Sequence, residues 1–381
     1  MTAKFRILSL ALLGALATPV VHAEGAIGEF AGSEVTFEGL LQTDGYWYDS
    51  DVADLDGDPS DGADHDFGVR RAELVLEGGG PGNIDWALGY DVSGDGKFLD
   101  TYLKYKIGGD KRHYLQLGQF KQPNSLEELS STKNNDFVSK ALVTNTFAVS
   151  RRLGIGYGIG GDDWTVTTTA FGRELTRGRA HGSGYGVRGT WSPVNEKGHV
   201  VHLGLSYVDH DTDGDALRLR ARPDADFANR LADTGALRDT DRVSTIGLEA
   251  FWLRGPVKLQ GEAMRSTVDR YGAGKDDFRA TGGYASGVWN LTGEQWTNKG
   301  GVPGTPGAKG NGMWQVGLRY DTLDLDDGSV RGGRLSTWTA GVNWYLRSNF
   351  KLMLDYVKVD SERRGITDNP GIVSARAQFN W

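Results

Sequence analysis

Three arginines, Arg218, Arg220 and Arg222, are spaced two residues apart in one polar stretch of the chain. In an extended segment this spacing places the three side chains on one side, because successive side chains point to opposite faces. A guanidinium group is suited to binding phosphate-like anions, since its planar fork of donors matches two oxygens and it stays charged. The spacing therefore indicates a row of cationic groups close enough for an anion to pass from one to the next. The alternatives are a solvated surface loop and contacts with acidic lipopolysaccharide.

Other kinds of chemistry find less support in the sequence. The chain has no cysteine, which excludes disulfide scaffolds, thiolate metal sites and cysteine nucleophiles. Its seven histidines are scattered and no Gly-x-Ser-x-Gly elbow is present, so we expect no enzyme; an outer-membrane phospholipase is the main enzymatic alternative. Asp209, Asp211 and Asp213 match the first half of a calcium loop, but Arg220 occupies its twelfth position. We therefore expect neither a metal site nor a cofactor.

Length, charge and the N-terminus limit the class of protein. The chain has 381 residues and a formal net charge of −8, which argues against nucleic-acid binding because phosphate backbones favour a basic surface. Two basic residues precede an apolar run at 7–17, which ends in the small-x-small site 21–23. This pattern predicts a signal peptide over residues 1–23 and export; an N-terminal anchor helix is the alternative. The mature chain, residues 24–381, is then a single domain.

Alternation of apolar and polar residues, rather than a 3.6-residue period, recurs along the chain. Trp86, Leu88 and Tyr90 share one face of such a segment, for example, whereas Asp85 and Asp91 share the other. Sixteen segments are predicted as strands in this way, near 34–48, 66–78, 84–92, 98–107, 113–120, 151–160, 163–173, 184–192, 199–208, 242–253, 256–267, 278–289, 312–325, 334–346, 350–360 and 373–381.

Three details favour a transmembrane barrel over a soluble sandwich, which also alternates. The polar faces carry full charges and glycine, as expected beside water in a channel. Aromatic residues gather at strand ends, where a membrane-interface girdle lies, and the chain ends on Trp381 as outer-membrane barrels do. An even strand count suits single-chain bacterial barrels, and closure leaves no strand edge facing lipid. The predicted fold is all-β: a 16-stranded antiparallel transmembrane β-barrel of the outer membrane.

The connections between the predicted strands differ in length. Short turns such as 108–112 and 160–162 are expected on the periplasmic side, and the long polar segments 49–65, 121–150, 209–241 and 290–311 are expected to form the other loops. The alternation also places basic residues on faces toward the channel, where their sum gives a field that attracts anions. These lumen residues are Lys104, Lys106, Arg152, Arg188, Lys258, Arg319, Lys351 and Arg376.

Several stretches over most of the mature chain carry a further signal. They are His199–Tyr207, Leu291–Glu294, Met313–Tyr320, Ala340–Leu346 with Lys351–Lys358, Val69–Ala72, Leu117–Phe120, and Arg218–Arg222 in their setting before Pro223. Together they resemble the phosphate- and polyphosphate-selective porin family, porins O and P. The resemblance implies a trimeric sixteen-stranded channel for anions in a Gram-negative outer membrane, with an inward-folded constriction loop.

The resemblance also implies roles for individual residues. Two adjacent arginines of the family's central binding zone correspond to Arg70 and Arg71, and a serine of the constriction loop corresponds to Ser131. Lys121 adds a cation at the start of that loop. The row of three arginines corresponds to the family's ladder leading in from the extracellular mouth. For Arg70 and Arg71 the alternative is an ion-pair network with nearby glutamates that stiffens the barrel wall.

Three positions depart from the family pattern. Leu40 stands where the family has a central arginine of the first strand, Glu128 where it has a central lysine of the constriction loop, and Glu73 where it has an aromatic residue. Replacing a lysine by a glutamate changes the local charge by two units, which alters the free energy of an ion at short range. These three residues are therefore expected to modify selectivity.

The function expected from these observations is passive diffusion of small anions across the outer membrane, with phosphate- or polyphosphate-type oxyanions such as inorganic phosphate and pyrophosphate as substrates. Arginines collect the anion, the constriction selects it and lumen lysines release it, since transport requires leaving as well as binding. The alternatives are a general, weakly selective porin and a non-conducting structural or adhesive barrel. Outer-membrane lipid, lipopolysaccharide and further copies of the chain in a homotrimer are the expected partners.

Overall fold

The structure is a computed structural model and describes residues 26–30, 32–57, 64–176, 182–308 and 312–381. The predicted signal peptide, residues 1–23, lies outside the described residues. Sixteen long strands follow one another: β1 (Ser33–Asp49), β2 (His65–Gly80), β3 (Ile84–Asp91), β4 (Lys97–Lys106), β5 (Tyr114–Lys121), β6 (Arg151–Gly160), β7 (Trp164–Phe171), β8 (Gly184–Glu196), β9 (His199–Asp211), β10 (Thr240–Arg254), β11 (Val257–Arg270), β12 (Phe278–Asn290), β13 (Met313–Asp327), β14 (Val330–Arg347), β15 (Phe350–Arg363) and β16 (Gly371–Asn380).

The sixteen strands form a closed sheet. Each pairs in antiparallel fashion with the next along the chain, and β16 pairs with β1 to close the barrel, with Leu40–Asp49 opposite Gly371–Asn380. Two short strands extend the rim: Ala26–Phe30 pairs with β1 and Ile366–Asp368 with β15. The prediction of a 16-stranded antiparallel barrel is confirmed, and every predicted segment overlaps one of the long strands. Closure satisfies the backbone groups that an open edge would leave unpaired.

The outer surface of the barrel is apolar. Leucines on the outward side of different strands stay exposed, among them Leu117 (63%), Leu248 (60%) and Leu354 (54%). Trp191 and Trp289 are likewise more than half exposed, at 57% and 51%. A continuous apolar surface of this kind is unfavourable in water and suits contact with lipid. The alternation of each strand therefore sends apolar groups toward the membrane and polar groups toward the lumen.

The connections define two ends of the barrel, called here the turn end and the loop end. Tight 3-10 turns at Pro81–Asn83 and Ile107–Gly109 belong to the turn end. In an antiparallel barrel connections alternate between the ends, so the segment 291–312 between β12 and β13 also lies at the turn end. The expectation that segment 290–311 accompanies the other long loops is therefore wrong. The length of this segment suggested that it lies at the loop end. The number of strands that precede a connection decides at which end of the barrel it lies.

Two segments of the loop end fold into the barrel. The first, called here the constriction loop (residues 122–150), contains helix α1 (Leu126–Leu129), a 3-10 turn at Thr132–Asn134 and helix α2 (Leu142–Phe147). The second, called here the arginine loop (residues 212–239), contains a 3-10 turn at Asp213–Asp215 and two short ladders, Ala216–Leu217 with Leu237–Arg238 and Arg220–Ala221 with Ala232–Asp233. In the part of the chain that is described, no helix is long and apolar enough to cross a membrane.

The hydrophobic core lies inside the barrel, between these loops and the wall. Leu142 of α2 is 1% exposed and clusters with Met264 and Leu323 of the wall. Leu126 of α1 clusters with Trp296, which the segment 291–312 contributes from the turn end. A short ladder, Thr297–Asn298 with Pro303–Gly304, shapes that segment. The constriction loop thus packs against one half of the wall, from β11 to β15, and leaves room beside the other half.

Candidate functional site

A carboxylate of the barrel wall holds the N-terminus of α1. Glu262 on β11 accepts hydrogen bonds from the backbone N–H groups of Leu126 (2.8 Å) and Glu127 (2.9 Å). The Ser125 hydroxyl also donates to Glu262 (3.2 Å). The first N–H groups of a helix have no partner within the helix, and the Glu262 side chain satisfies two of them here. The constriction loop therefore begins its path through the lumen at a fixed point.

Wall side chains also hold the middle of the constriction loop. The Lys351 ammonium on β15 is 1% exposed and donates to the carbonyl of Asn135 (2.6 Å). The Asp355 carboxylate on the same strand accepts a hydrogen bond from the N–H of Val138 (2.7 Å). Buried polar groups are costly unless they are hydrogen-bonded, so each contact both satisfies a loop group and fixes the loop.

Arg319 on β13 joins both inward loops to the wall. Its side chain is 1% exposed and pairs with Asp321 on its own strand (2.5 Å) and with Asp224 of the arginine loop (3.1 Å). Its Nη1 donates to the carbonyl of Ser139 in the constriction loop (2.9 Å). Alternation along the strand predicts that Arg319 is among the cations that face the channel. The structure differs, because the two loops cover this side chain and their carboxylates offset its charge.

A chamber of about 110 Å³ lies where the two loops and the uncovered half of the wall leave a gap. Among the described residues, six basic and two acidic side chains line it: Arg70, Arg71, Lys97, Lys140, Arg151, Arg376, Glu128 and Asp226. They come from β2, β4, β6, β16 and both loops, so the fold rather than a local motif assembles them. Their excess of positive charge in a narrow space attracts anions.

Two arginines of the chamber contact a carboxylate that the arginine loop supplies. Arg70 Nε donates to Asp226 (2.7 Å), and Arg376 Nη2 lies 3.9 Å from the same carboxylate. Arg376 also makes two parallel hydrogen bonds of 2.6 Å to Asp44, its direct partner across the closing strand pair. Bidentate contacts of this kind fix the plane of a guanidinium group. Arg376 is therefore oriented by the wall, and its guanidinium group lines the chamber.

Arg71 lies between the chamber and a residue that departs from the family pattern. It lines the chamber and donates through Nη1 to Glu73 (3.2 Å). Glu73 stands directly opposite Leu40 on the neighbouring strand, and Leu40 is 6% exposed. The alternative to a role of Arg71 in the channel is an ion pair with a nearby glutamate. Arg71 forms this ion pair with Glu73 and still lines the chamber.

Glu128 is paired with Lys140, a cation that the sequence analysis did not single out. The Glu128 carboxylate contacts the Lys140 ammonium and accepts a hydrogen bond from the Ser150 hydroxyl (3.0 Å). Burial raises the pKa of Glu128, but the charges of Lys140 and Lys121 outweigh burial and hold that pKa below its ordinary value. Glu128 is therefore charged at neutral pH, and Lys140 from the other limb of the loop offsets it.

Lys121 and Ser131 lie beside the chamber rather than in its wall. The Lys121 ammonium donates to the backbone carbonyls of Glu128 and Ser130, the latter at 3.0 Å. Ser131 follows in the chain and is exposed. Both residues line a larger cavity toward the turn end. Lys121 thus fixes the first limb of the constriction loop where that loop meets this cavity.

This larger cavity, called here the vestibule, has a volume of about 580 Å³. Its wall shares Thr132 and Arg151 with the chamber and reaches the turn end at Arg112 and Val302. Its charged lining residues are six basic and four acidic ones: Lys111, Arg112, Lys121, Lys133, Arg151, Arg188, Glu38, Glu73, Glu77 and Asp100. The vestibule is therefore less positive than the chamber, although it is several times larger.

Three further basic residues expected in the lumen differ in their surroundings. Lys104 Nζ lies 4.5 Å from the centre of the Tyr114 ring, a cation–π contact in the vestibule wall. Lys106 pairs with Asp85 (2.7 Å). Arg152 lines a separate cavity of about 100 Å³ next to the chamber.

The three arginines of the ladder lie in the arginine loop. The residues between them are buried, so the side chains of Arg218, Arg220 and Arg222 share the exposed side of the segment. Arg218 Nε donates to Asp233 (2.8 Å), and the Arg218 side chain remains 50% exposed. The far end of the ladder is therefore open to solvent at the mouth of the barrel.

Arg222 is the member of the ladder nearest to the chamber. Burial lowers the pKa of Arg222, and the positive charges of Arg220 and Arg70 lower it further, whereas Asp226 opposes them. The charge of Arg222 therefore interacts with that of Arg220 in the ladder and with that of Arg70 in the chamber.

The chain matches the family model described as Phosphate-selective porin O and P over residues 42–381. The chain belongs to this family. It is 29% identical to Porin O of Pseudomonas aeruginosa over 223 residues, which cover 49% of each protein. It is 27% identical to an uncharacterized protein of Caulobacter vibrioides over 336 residues, which cover 81% of this chain and 66% of that protein. The chain thus spans about half to two thirds of the length of these relatives.

The fold of this porin is also found in solved outer-membrane proteins. A loop-deletion form of OmpT, an outer membrane protein of Vibrio cholerae, aligns with a TM-score of 0.61 at 12% identity. The alignment covers 92% of this chain and 100% of OmpT. At this identity the likeness concerns the fold, and it agrees with the family in making this porin an outer-membrane β-barrel.

Family resemblance and alternation identified only part of the porin's chamber. Arg70, Arg71 and Arg376 were named from the sequence, whereas Lys97, Lys140 and Arg151 were not singled out. Arg152 was chosen as the lumen residue of its strand; Ser150, with φ of 60°, turns the chain immediately before β6, and Arg151 lines the chamber. The ion pair between Asp44 and Arg376 follows from the pairing of the first strand with the last. Pairing the first and last predicted strands of a closed barrel would have placed these two residues opposite each other.

Proposed function

We propose that this porin conducts small anions passively across the outer membrane and selects them in the chamber. The observation that carries the proposal is the lining of the chamber, in which six basic side chains face two acidic ones. A narrow, partly desolvated space with this excess of positive charge stabilises an anion and repels a cation. Family membership supports the same conclusion.

The proposed path has three stages. Arg218, Arg220 and Arg222 collect anions at the loop end, where the first of them is half exposed. The chamber binds the anion next, through guanidinium groups such as that of Arg70. The vestibule, with its more balanced charge, then lets the anion leave toward the turn end, which we assign to the periplasm. Several moderate sites suit transport, because an ion held tightly at one point does not leave.

Phosphate-type oxyanions, including inorganic phosphate and pyrophosphate, are the proposed substrates. A guanidinium group presents parallel N–H donors that match two oxygens of such an anion, and the chamber contains four arginines: Arg70, Arg71, Arg151 and Arg376. Chloride is a single atom without separate oxygens, so it matches the parallel N–H donors of a guanidinium group less well. The chamber therefore favours oxyanions by shape as well as by charge.

A weakly selective porin is the second candidate, favoured by a specific observation. Glu38, Glu73, Glu77 and Asp100 line the vestibule, and Leu40 stands there without a charge. These residues weaken the positive field along the lower part of the path. Phosphate would then pass with little preference over other anions.

Conductance in a planar bilayer distinguishes these candidates. We expect a reversal potential that shows anion selectivity, and block of the chloride current by added phosphate. Arg71→Ala removes a donor that faces the chamber and should raise the half-blocking phosphate concentration about tenfold. The matched control is Arg331→Ala, an exposed arginine at the start of β14 that lines neither cavity. Cation selectivity overturns the proposal, anion current without phosphate block favours the weakly selective porin, and the lack of any current favours a structural barrel.

The proposal includes a homotrimer, which the family resemblance implies. Strands β3, β5 and β7 have eight residues each, whereas β14 has 18. Eight tilted residues span about 20 Å, less than the apolar band of about 25 Å that lipid requires. Leu103 and Leu117 on this low side of the wall are exposed, and neighbouring copies of the chain would cover them. Cross-linking in detergent should yield a three-chain product, and a purely monomeric protein would contradict this assembly.

A further inference from the structure

The carboxylate of Asp226 occupies the middle of the chamber's arginine cluster. It accepts a hydrogen bond from Arg70 Nε (2.7 Å) and lies 3.9 Å from Arg376 Nη2. Its side chain is 17% exposed, and no strand of the wall supplies it; the residue belongs to the arginine loop. A carboxylate in this position makes the same kind of charge-assisted contacts that an entering oxyanion would make.

The neighbours of Asp226 fix it in this position. Asp224, with φ of 51°, turns the chain two residues earlier, accepts a hydrogen bond from the Thr337 hydroxyl (2.6 Å) and pairs with Arg319. Phe227 follows Asp226 and packs edge-on against Tyr46 of β1, with the ring centres 5.3 Å apart. The arginine loop is thus anchored on both sides of Asp226, and its carboxylate is directed at the two arginines by the fold.

Asp226 is charged at neutral pH. Burial raises the pKa of Asp226, but Arg70, by its charge and its hydrogen bond, and then Arg376 and Arg71 lower it to about 2. The chamber therefore contains a permanent negative charge beside the donors that bind the substrate. Because the carboxylate is tethered, its effective concentration at the arginines is high, and a free anion has to compete with it.

We propose that Asp226 is a tethered competitor anion that sets the affinity and residence time of oxyanions in the chamber. An entering oxyanion exchanges with the Asp226 carboxylate for Arg70 and Arg376, and the carboxylate returns when the oxyanion leaves. This inference rests on the proposed function. It explains how four arginines can line one chamber without trapping phosphate, because departure of the substrate is coupled to return of an internal anion.

The proposal predicts an effect that scales with the charge of the substrate. Neutralising Asp226 makes the potential in the chamber more positive, and a divalent anion gains twice the electrostatic free energy that a monovalent anion gains. Asp226→Asn should therefore lower the half-blocking concentration about tenfold for divalent phosphate and about threefold for monovalent phosphate. A carboxylate that merely held the loop in place would give no such dependence on charge.

The experiment uses the full-length porin in planar bilayers, with inorganic phosphate as the blocker of chloride current at about pH 8 and about pH 5.5, where the dianion and the monoanion respectively predominate. Asp226→Glu keeps the charge and should behave like the wild type. Asp213→Asn, an exposed residue of the same loop that lines neither cavity, is the control for removal of one negative charge. It should leave both half-blocking concentrations unchanged.

The outcomes separate this inference from the proposed function. If the wild type is not blocked by phosphate, the proposed function fails. If the wild type is blocked and Asp226→Asn is blocked at the same concentrations, the tethered competitor is overturned. Migration on a gel with and without heating shows whether each variant forms a folded barrel. Should the asparagine variant not assemble, Asp226→Ser makes the same neutral change without an amide directed at Arg70, and failure of both variants to fold assigns Asp226 a structural role and overturns the proposal.

Discussion

The two halves of the barrel's inner wall carry the same basic residue types and use them differently. On β11, β13 and β15, the side chains of Lys258, Arg319 and Lys351 are at most 4% exposed and contact the inward loops. On β2 and β6, the side chains of Arg70 and Arg151 are 26% and 18% exposed and line the chamber. The first half anchors the loops, and the second half lines the chamber through which we propose that the ion passes.

The path of the constriction loop explains this difference. A cation whose donors are taken by a loop carbonyl or carboxylate attracts little from the channel, because its charge is offset within hydrogen-bond distance. The cations of the other half also have carboxylate partners, Asp226 for Arg70 and Asp100 for Arg151, but they line a space that an ion can enter. An inward-facing arginine is therefore not automatically part of the selectivity site, and the comparison can be tested by variants on each side.

The largest effect is expected from the anchoring half. Arg319→Met leaves the carboxylates of Asp224 and Asp321 without their common partner, and removing one member of a buried ion-pair network costs about 3–5 kcal/mol. We expect a lower midpoint for unfolding in guanidinium chloride and noisy currents from a loosened constriction loop. Arg331→Met, at an exposed site, should change the unfolding free energy by less than about 0.5 kcal/mol. Equal stability of the two variants would show that Arg319 does not anchor the loops.

The next effect concerns the chamber half. Lys140→Met leaves Glu128 charged and without its cation beside the permeating ion, so the half-blocking phosphate concentration should rise about tenfold. Adding Glu128→Gln should recover most of this loss, because the double variant removes one charge of each sign. Bilayer currents of the two single variants and the double variant complete the cycle. Strictly additive effects would mean that the two side chains do not act as a pair.

The sequence was sufficient for the barrel and insufficient for this division of the wall. Alternation identifies strands because each side chain faces either lipid or lumen, and the even count with a terminal aromatic predicts closure. The roles of Arg319 and Lys140 depend instead on where residues 122–150 run inside the barrel. That path is fixed by contacts between distant residues, such as Glu262 with the start of α1 and Asp355 with Val138. No local sequence pattern predicts contacts between such distant residues.

The family resemblance had a related limit. It identified Glu128 as the replacement of a lysine, but the compensating Lys140 lies twelve residues later and meets it only because the loop folds back. In the same way, the resemblance predicted that Leu40 replaces an arginine of β1. Leu40 lines the vestibule, and Arg376 on the adjacent β16 supplies a guanidinium group to the chamber. Substitutions of charge at a site assembled from many strands have to be judged over the assembled site.

The smallest effect is expected from pH, and it tests the charge state of the chamber's two carboxylates. The pKa of Asp226 is lowered to about 2, and that of Glu128 also lies below its ordinary value. Both groups should stay ionised as the pH falls from about 7 to about 5, so block by sulfate, a dianion throughout, should change less than about twofold.

Because a depressed native pKa stabilises the fold above the unfolded-state pKa, the contribution of Asp226 to stability is lost only as the pH falls from about 4 toward 2. Over that same interval the chamber becomes more positive and sulfate block should strengthen. If sulfate block already strengthened near pH 5 in the wild type but not in Asp226→Asn, the pKa of this carboxylate would lie in the ordinary range. The contrast between the two halves of the wall would then be weaker.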